Sequence, residues 1–306
     1  MPNHLAAAEQ INKNISADPK GFITACEGAF SNKVTAVADS IADLPGNRLV
    51  MLAGPSSSGK TTTAKLLAAE FARRNRRALT VSLDDFYLGR DVPYKFEDGT
   101  PDYETVQSLD VPYIKVCLQS LLNTGRCLLP RFSFQTGARE ETLIETSIGK
   151  DDIVIVEGLH ALNPLITAAL DEDSLSRLYV NVSTRLTREN DILFSKRELR
   201  FVRRLVRDYQ FRNTSADLTF YLWDGVRKGE DRYLFPFSPL AEIRIDSIHY
   251  YEPCAFKSFA VPLLSQIEAD SRYYPVAQTI LEKFKPFPTI DRSLIPPHSL
   301  LREFIG

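Results

Sequence analysis

The chain has 306 residues, of which 44% are hydrophobic and 25% charged, and its formal net charge is −2. These values are ordinary for a soluble globular protein, and the near-neutral charge argues against a general nucleic-acid binder, which would normally be basic. No apolar run approaches the roughly 20 residues needed to cross a bilayer, and the N-terminal MPNHLAAAEQINKN lacks the basic flank and apolar core of a signal peptide.

The cysteines give a further indication of the compartment. The four cysteines, Cys26, Cys117, Cys127 and Cys254, form no C-x-x-C pair and have no histidine at metal-ligand spacing. A disulfide framework or a zinc site is therefore not expected, and reduced thiols indicate a cytoplasmic protein. We expect neither nucleic acid nor a membrane among its partners, and the sequence leaves a homo-oligomer open.

Apolar runs and turn signals predict a chain in which strands alternate with helices. Residues 1–47 are predicted to be helical and peripheral, ending in a turn at Pro45-Gly46-Asn47. The predicted core strands span residues 48–53, 78–83, 153–156, 177–182 and 241–246. The later predicted helices span residues 62–74, 111–122 and 192–209, and two more follow Pro253 before the proline-rich stretch 286–297. This alternation predicts an α/β fold with a mainly parallel five-stranded sheet.

The segment between the second and third strands contains a predicted β-hairpin at about residues 127–148. Its strands would be residues 128–134 and 141–148, with a turn at Thr136-Gly137. We therefore divide the chain into three parts. They are an N-terminal helical leader (1–47), a core (48–252) that carries the hairpin and a helical lid at about 192–213, and a helical C-terminal extension (253–306) packed on the core.

The first predicted strand leads into GPSSSGKT, residues 54–61, and a predicted helix follows. This pattern, G-x-x-x-x-G-K-[ST], is that of a phosphate-binding loop, in which backbone N–H groups and a helix N-terminus surround an anion. Lys60 would reach the β- and γ-phosphates of a nucleotide, and the Thr61 hydroxyl would bind Mg²⁺. An ordinary Ser/Gly turn is the alternative, but the strand–loop–helix context argues against it. The predicted nucleotide-binding residues are Gly54, Pro55, Ser56, Ser57, Ser58, Gly59, Lys60, Thr61 and Thr62.

Acidic side chains follow two further strands of the predicted sheet. Asp84 and Asp85 come directly after the second strand, and Glu157 ends the third. Ligands of open α/β sheets bind at the carboxyl ends of the strands, so these carboxylates should face the phosphate loop. There they would suit Mg²⁺ or a general base for an attacking hydroxyl. A helix cap or turn at Asp84-Asp85 and a surface strand end at Glu157 are the structural alternatives.

The segment RELRFVRRLVRD, residues 197–208, is strongly basic. Helical spacing places four arginines on one face and an apolar row on another. The arginines are Arg200, Arg203, Arg204 and Arg207, and the apolar row is Leu199, Val202, Val206 and Tyr209. Two interpretations stay open: a solvated amphipathic helix, or an arginine-bearing lid that stabilises charge during phosphoryl transfer. A nucleic-acid patch fits the overall charge poorly.

Three aromatic or imidazole positions are weaker candidates for contacts with a substrate. His160 follows the third strand and could contact substrate or serve as a hydrogen-bonded support. Phe132 and Phe134 alternate on the predicted hairpin, where such residues are more often core than a stacking platform. Tyr87, beside the acidic pair, is a better contact for an acceptor.

Several motifs of the chain resemble the uridine kinase/phosphoribulokinase family of P-loop kinases, and most closely its uridine-kinase-like nucleoside kinase branch. In chain order they are GPSSSGKTT, SLDDFY, LPRFSFQTGARE, IVIVEGLHALNP, RFVRRLVRDYQFR, VRKGEDRYLFPF and LLREFIG. The resemblance runs from about Ser31 to Gly306. It implies a three-layer P-loop NTPase fold and transfer of the γ-phosphate of ATP, or of another nucleoside triphosphate, to a primary alcohol, with Mg²⁺ as cofactor.

The resemblance also implies roles for individual residues. The implied catalytic residues are Lys60, Asp84 as the base, and the lid arginines Arg204 and Arg207. Thr61, Glu157 and Asp84 would be linked to Mg²⁺. The implied substrate-binding residues are Asp84, Tyr87, Glu104, Phe132, Arg139, His160 and Arg203, with Asp102 as an alternative to Glu104.

Two departures from the family pattern concern the acceptor. Uridine kinases carry a tyrosine and a histidine in the hairpin for the pyrimidine base, and this chain has Phe132 and Gly137 instead. The hydrogen bonds that read the base are therefore missing or rebuilt. Since a site without such hydrogen bonds discriminates weakly, we expect weak selection among bases or an acceptor other than a pyrimidine nucleoside.

Three functions remain as hypotheses from the sequence. The leading one is an ATP-dependent kinase of a nucleoside or a related sugar-containing alcohol. The second keeps this chemistry with a polyol, a sugar phosphate or a pantothenate-like alcohol as acceptor. The third is a nucleotide-dependent ATPase or switch without an acceptor, which the lack of N-K-x-D and LSGGQ motifs weakens.

Overall fold

The computed structural model describes residues 4–44, 46–89, 94–100, 102–133, 136–168 and 170–306. Within these ranges no helix combines the length and the apolar character needed to cross a membrane. The strands in chain order are β1 (Leu5–Ala7), β2 (Leu49–Ala53), β3 (Ala78–Ser82), β4 (Arg126–Leu129), β5 (Phe132–Ser133), β6 (Ala138–Arg139), β7 (Ile144–Ser147), β8 (Ile153–Glu157), β9 (Leu175–Asn181), β10 (Arg185–Arg188), β11 (Asp191–Phe194) and β12 (Ile243–Asp246). The helices are α1 (Ala8–Ala17), α2 (Pro19–Ala42), α3 (Lys60–Arg73), α4 (Val111–Thr124), α5 (Pro164–Thr167), α6 (Lys196–Arg212), α7 (Ala216–Tyr233), α8 (Glu252–Ser265), α9 (Tyr274–Phe284) and α10 (Arg302–Ile305).

The central sheet has five parallel strands in the order β12-β9-β2-β8-β3. Side chains of β2 alternate between its faces: Val50 and Leu52 join a buried cluster with α2, α3, α6 and α8, whereas Met51 joins a second cluster with α4. Parallel strands that are buried on both faces are apolar along their whole length, and all five residues of β2 are buried. The predicted α/β fold with a five-stranded parallel sheet between helices is confirmed.

The N-terminal segment contains a strand in addition to the predicted helices. β1 pairs in parallel with β10, and β10 pairs with β11, in a second sheet of three strands. The Asp18 side chain caps α2 by accepting a hydrogen bond from Gly21 N over 2.9 Å. Phe30 and Val34 of α2 lie in the same buried cluster as one face of the central sheet. The segment is therefore part of the core rather than peripheral. Pro45, in the predicted turn, lies outside the described residues.

The predicted hairpin consists of two short antiparallel pairs rather than one continuous ladder. β4 pairs with β7, and β5 pairs with β6. Pro130 separates β4 from β5, and a proline cannot donate an N–H group to a β-ladder, so the pairing is interrupted there. Gly137 takes φ 72° at the predicted turn. Phe134, which the prediction placed in the first strand, lies outside the described residues.

The helix predicted over residues 192–209 begins later than expected because β11 occupies its first positions. Glu189 and Asn190 connect β10 to β11 with φ of 51° and 74°, values typical of tight hairpin turns. Ser195 and Glu198 then form a capping box, in which each side chain accepts a hydrogen bond from the backbone N–H of the other. This box sets the start of α6, a boundary that helical periodicity alone does not show.

Candidate active site

The loop between β2 and α3 has the backbone geometry of a phosphate cradle. Gly54 allows a close approach, because a Cβ atom there would lie 2.2 Å from the carbonyl oxygen of Val180 on β9. Ser57 and Gly59 take φ of 57° and 85°, the left-handed region that favours glycine. The loop then turns directly into α3, which begins at Lys60. It therefore ends at a helix N-terminus, as an anion site of this type requires.

Polar atoms of this loop lack partners from the protein. The hydroxyl groups of Ser57 and Ser58 are buried and, over the described part of the chain, have no hydrogen-bond partner. Lys60 Nζ donates to the carbonyl oxygen of Pro55 over 3.2 Å. Because buried polar groups are normally paired, the two hydroxyls indicate that a ligand with polar oxygens belongs in the loop.

Thr61 and Glu157 bring a hydroxyl and a carboxylate together at the end of the loop. Thr61 Oγ1 donates to Glu157 Oε1 over 3.0 Å, and Ser82 Oγ donates to the same oxygen over 3.2 Å. Burial raises the pKa of Glu157 to about 7, against the opposing effect of Lys60.

These oxygen donors fit Mg²⁺, which is usually held by one or two carboxylates together with substrate phosphates. The described residues contain no group of three or more His, Cys, Asp or Glu side chains that could hold a metal by themselves. A cation at Thr61 and Glu157 would therefore share its remaining positions with nucleotide phosphates and water.

The two aspartates after β3 have different surroundings. The strand gives way to a 3-10 turn over Leu83–Phe86, so strand alternation does not continue to them. Asp84 is half-buried and lines the same cleft as Thr61. Asp85 accepts a hydrogen bond from Phe132 N over 3.2 Å, and burial raises its pKa. Asp84 is thus the carboxylate that faces the phosphate loop.

Arg204 and Arg207 line this cleft from α6, and Arg204 Nη1 donates to Ser56 Oγ over 2.9 Å. Asp208 lies among the arginines, 3.1 Å from Arg204 Nε, 2.8 Å from Arg207 Nη2 and 3.4 Å from Arg212 Nη1. Although burial alone would raise the pKa of Asp208, the arginines hold it below its usual range. Three cations around one carboxylate leave a local excess of positive charge on the α6 side of the cleft, which suits a phosphate group.

Aromatic side chains line another part of the cleft. The rings of Tyr87 and Phe132 are 5.6 Å apart between centroids and tilted by 54°. Burial raises the pKa of Tyr87 well above its usual value, so its hydroxyl is protonated at neutral pH. Phe132 offers an apolar face without a hydrogen-bonding atom.

Glu104, rather than Asp102, is available to a ligand in the cleft. Glu104 lines the cleft, and burial raises its pKa to about 7 although Arg204 opposes the shift. Asp102 is buried and engaged elsewhere, since its carboxylate accepts from Tyr233 Oη over 2.6 Å and from Glu104 N over 3.2 Å. It therefore holds the backbone that presents Glu104.

The structure corrects the prediction that Arg203 binds substrate. Its side chain is fully buried, pairs with Glu252 Oε2 at 2.5 Å and donates to the carbonyl oxygens of Ser247 and Ser57 over 2.9 and 3.4 Å. Helical spacing correctly places Arg203 beside Arg204, but an acidic residue from α8 meets it there. Arg203 supports the loop from behind and does not line the cleft.

Arg139 and His160 are likewise predicted substrate contacts that do not line the cleft. Arg139 pairs with Asp110 at 3.2 Å and donates to the carbonyl oxygen of Phe86 over 3.0 Å. His160 is buried, and its Nε2 lies 2.9 Å from the carbonyl oxygen of Glu104. Burial lowers the pKa of His160 to about 4, so it is neutral at physiological pH. Both residues support the backbone around the cleft.

Two carboxylates at the loop were not singled out from the sequence. Ser56 N donates to Glu230 Oε1 over 2.8 Å. Thr62 N and Oγ1 donate to Glu303 Oε2 over 3.2 and 2.6 Å. The two glutamates belong to the segments VRKGEDRYLFPF and LLREFIG, which share the family resemblance. That resemblance was the only available signal, and it does not say which neighbour each side chain meets.

The phosphate loop, the acidic strand ends and the α6 arginines that line the site share one open cleft of about 1110 Å³ at the carboxyl ends of the sheet strands. The residues common to the prediction and the cleft lining are Ser56, Ser57, Ser58, Gly59, Lys60, Thr61, Asp84, Tyr87, Glu104, Phe132, Glu157, Arg204 and Arg207. The volume suffices for a nucleotide with a small acceptor.

Comparisons with known proteins agree with this geometry. The model of the phosphoribulokinase/uridine kinase family matches residues 49–250, whereas no curated protein matches the chain. A solved kinase assigned to a fructose transport system, from Silicibacter sp. TM1040, is 20% identical with a TM-score of 0.50, over 69% of this chain and 98% of that one. At this identity the likeness shows the fold alone.

Two further solved structures are more distant. A possible uridine kinase from Bacillus stearothermophilus is 18% identical with a TM-score of 0.47, over 70% of this chain and 98% of that one. A phosphoribulokinase from Rhodobacter spheroides is 13% identical with a TM-score of 0.45, over 65% of this chain and 69% of that one.

Proposed function

The chain belongs to the phosphoribulokinase/uridine kinase family of P-loop kinases, and from that premise we propose that it transfers the γ-phosphate of ATP to a hydroxyl group of a nucleoside or a related sugar-containing alcohol. The observation that carries this proposal is the position of Asp84, which lines one cleft together with Lys60, Thr61 and Arg204. An alcohol is a poor nucleophile at neutral pH, and a carboxylate beside the phosphate loop can orient it and accept its proton.

The phosphate side of the cleft supplies donors and positive charge. The backbone of the loop and the unpartnered hydroxyls of Ser57 and Ser58 would surround the phosphates. Lys60 would neutralise charge on the transferred group, and Arg204 and Arg207 would act on it from α6. In phosphoryl transfer this positioning and charge stabilisation account for most of the catalysis.

Thr61 and Glu157 would hold Mg²⁺, with Asp84 as a further oxygen ligand within the same cleft. When bound, the ion would neutralise charge on the β- and γ-phosphates. This assignment rests on the oxygen donors that these side chains bring to the cleft.

The acceptor would occupy the part of the cleft lined by Tyr87, Glu104 and Phe132. Glu104 can accept hydrogen bonds from the vicinal hydroxyls of a sugar, and a flat base can stack on Phe132. Neither Phe132 nor Gly137 offers a side-chain hydrogen bond that would identify a base. For the same reason a non-nucleoside alcohol, such as a polyol, a sugar phosphate or a pantothenate-like compound, is the second candidate acceptor.

The test is a screen for ADP release that depends on the acceptor. The protein with ATP and Mg²⁺ would be offered nucleosides, polyols, sugar phosphates and pantothenate, and phosphorylated product would be identified by mass spectrometry. We expect a nucleoside or sugar-containing alcohol to stimulate release, and the Asp84→Asn variant to abolish the stimulation. If the rate of ADP release is the same with and without every acceptor, the result would favour an ATPase or switch and would contradict the kinase proposal.

A further inference from the structure

A buried ion pair lies behind the phosphate loop and takes no part in the chemistry proposed above. Arg200 of α6 and Glu230 of α7 form two hydrogen bonds, of 2.6 and 2.8 Å. Their side chains are 2% and 0% exposed, and the ring of Trp223 lies 5.4 Å from the guanidinium carbon of Arg200. The pair is therefore shielded from bulk solvent.

The same pair holds both polar groups of the Ser56 backbone. Ser56 N donates to Glu230 Oε1 over 2.8 Å, and Arg200 Nη1 donates to the carbonyl oxygen of Ser56 over 3.1 Å. A single oxygen, Glu230 Oε1, accepts from both Arg200 and Ser56. Because an ion pair has a fixed geometry when it is bidentate, it fixes the orientation of the two peptide units at Ser56.

Stability alone is a weak reason for an ion pair in this position. Removing two charges from water costs free energy, and apolar residues of similar volume often replace such pairs without loss of stability. What an apolar pair could not reproduce is the pair of hydrogen bonds to Ser56. That residue immediately precedes Ser57, a non-glycine residue whose backbone takes the left-handed conformation, so the loop is held beside a strained position.

We propose that Arg200 and Glu230 are positioning residues that hold the phosphate loop in its phosphate-binding conformation through Ser56. The inference rests on the proposed function, since it assumes that the loop binds nucleotide phosphates. The contact with the loop continues along α6, because Arg203 and Arg204 also donate hydrogen bonds to it.

The experiment separates positioning from stability with three variants. Glu230→Gln leaves the Arg200 charge buried without its partner, and we expect it to lower the melting temperature. The double variant Arg200→Met/Glu230→Leu removes both charges and both hydrogen bonds to the Ser56 backbone, so its melting temperature should recover from that of Glu230→Gln towards the wild-type value. Glu70→Gln is the control, because Glu70 is a buried partner of Arg74 on α3 that makes no contact with Ser56.

Nucleotide affinity is then measured with a fluorescent ATP analogue and Mg²⁺, well below the lowest melting temperature. We expect the double variant to bind about tenfold more weakly than wild type, or worse, despite its recovered stability, since the loop is no longer held. Glu70→Gln should keep wild-type affinity. The proposal would be overturned if the double variant bound the nucleotide with wild-type affinity. It would also be overturned if the loss of nucleotide affinity followed the loss of melting temperature across all variants.

The outcomes also distinguish this inference from the proposed function. A wild-type protein that binds nucleotide but phosphorylates no acceptor contradicts the kinase proposal and leaves the affinity comparison valid. An active kinase whose double variant binds nucleotide normally contradicts only the positioning role. A wild-type protein that binds no nucleotide contradicts both.

Discussion

The Thr61 hydroxyl donates a hydrogen bond to Glu157 Oε1 over 3.0 Å, which joins the first turn of α3 to the tip of β8. If these oxygens hold Mg²⁺, the charge of Glu157 matters more than its hydrogen bonds. We expect Glu157→Gln to raise the Mg²⁺ concentration needed for half-maximal turnover by about tenfold or more, measured by Mg²⁺ titration at saturating ATP. The control variant Ser82→Ala removes one hydrogen bond to Glu157 but no charge. It should change the required Mg²⁺ concentration less than Glu157→Gln does. An unchanged requirement would place the ion elsewhere.

Adjacent arginines of α6 should have separable roles. Arg204 lines the cleft, so Arg204→Ala should lower kcat by about 100-fold and weaken nucleotide binding less. Arg203 is buried against Glu252, so Arg203→Ala would leave an unpaired buried carboxylate and lower the free energy of unfolding by about 3–5 kcal/mol. Steady-state kinetics and urea unfolding of both variants check this. An Arg204 variant that loses only stability would support the plain amphipathic helix.

The Glu303 carboxylate occupies a place at the start of α3 that a nucleotide phosphate would also seek. It accepts hydrogen bonds from both N and Oγ1 of Thr62. Since two anions so close together repel, we expect Glu303→Gln to bind ATP several-fold more tightly, as measured by titration with a fluorescent analogue. Glu282→Gln, at an exposed position, is the control. Weaker binding in Glu303→Gln would show instead that the carboxylate assists the nucleotide.

Glu104 makes stability depend on pH in a direction that the structure determines. Burial raises its pKa from 4.5 to about 7, so between these values the folded protein holds a proton that the unfolded chain has lost. The free energy of unfolding therefore falls as pH rises through this interval. Glu104→Gln removes the effect, so it should be more stable than wild type by about 1–3 kcal/mol at pH 8 and little different at pH 4.

Unfolding in urea at both pH values checks this prediction. Glu157, whose pKa is also raised to about 7, is present in both proteins, so its contribution cancels in the difference. A difference between the two proteins that is the same at pH 4 and pH 8 would mean that Glu104 is not held in its protonated form.

The phosphate loop and the acidic strand ends could be predicted because each is marked by a motif of neighbouring residues in the sequence. Lys60 follows a glycine-rich turn between a strand and a helix, and Asp84 and Glu157 stand where apolar runs stop. The topology of a parallel sheet then brings these positions to one edge. Each of them is recognised from its neighbours in the sequence, and no knowledge of distant contacts is needed.

The partners of the α6 arginines could not be predicted in this way. Periodicity places Arg200 and Arg203 on the same face as Arg204, but it does not show which acids face them. Glu230 and Glu252 lie 30 and 49 positions further along the chain. Because α7 and α8 pack against α6, their glutamates neutralise and bury Arg200 and Arg203, whereas Arg204 lines the cleft.

The last prediction concerns the two aspartates at the end of β3, which differ by one position and have different partners. Asp84 lines the cleft, whereas the Asp85 carboxylate accepts a hydrogen bond from Phe132 N over 3.2 Å. In the proposed reaction Asp84 orients the alcohol and accepts its proton. Asp85 instead joins the turn after β3 to β5, which brings Phe132 into the wall of the cleft. Under this proposal one carboxylate serves the reaction and the other maintains the shape of the acceptor site.

We expect Asp84→Asn to retain ATP affinity while acceptor phosphorylation falls by about 100-fold or more, the loss typical of removing a general base. Asp85→Asn keeps an acceptor oxygen for Phe132 N, so it should cost less in kcat and act mainly on the KM for the acceptor. ATP affinity and acceptor turnover, measured side by side for both variants, decide between the roles. If Asp85 proves indispensable and Asp84 dispensable, the assignment of the base is wrong by one position; if neither matters, the kinase mechanism fails.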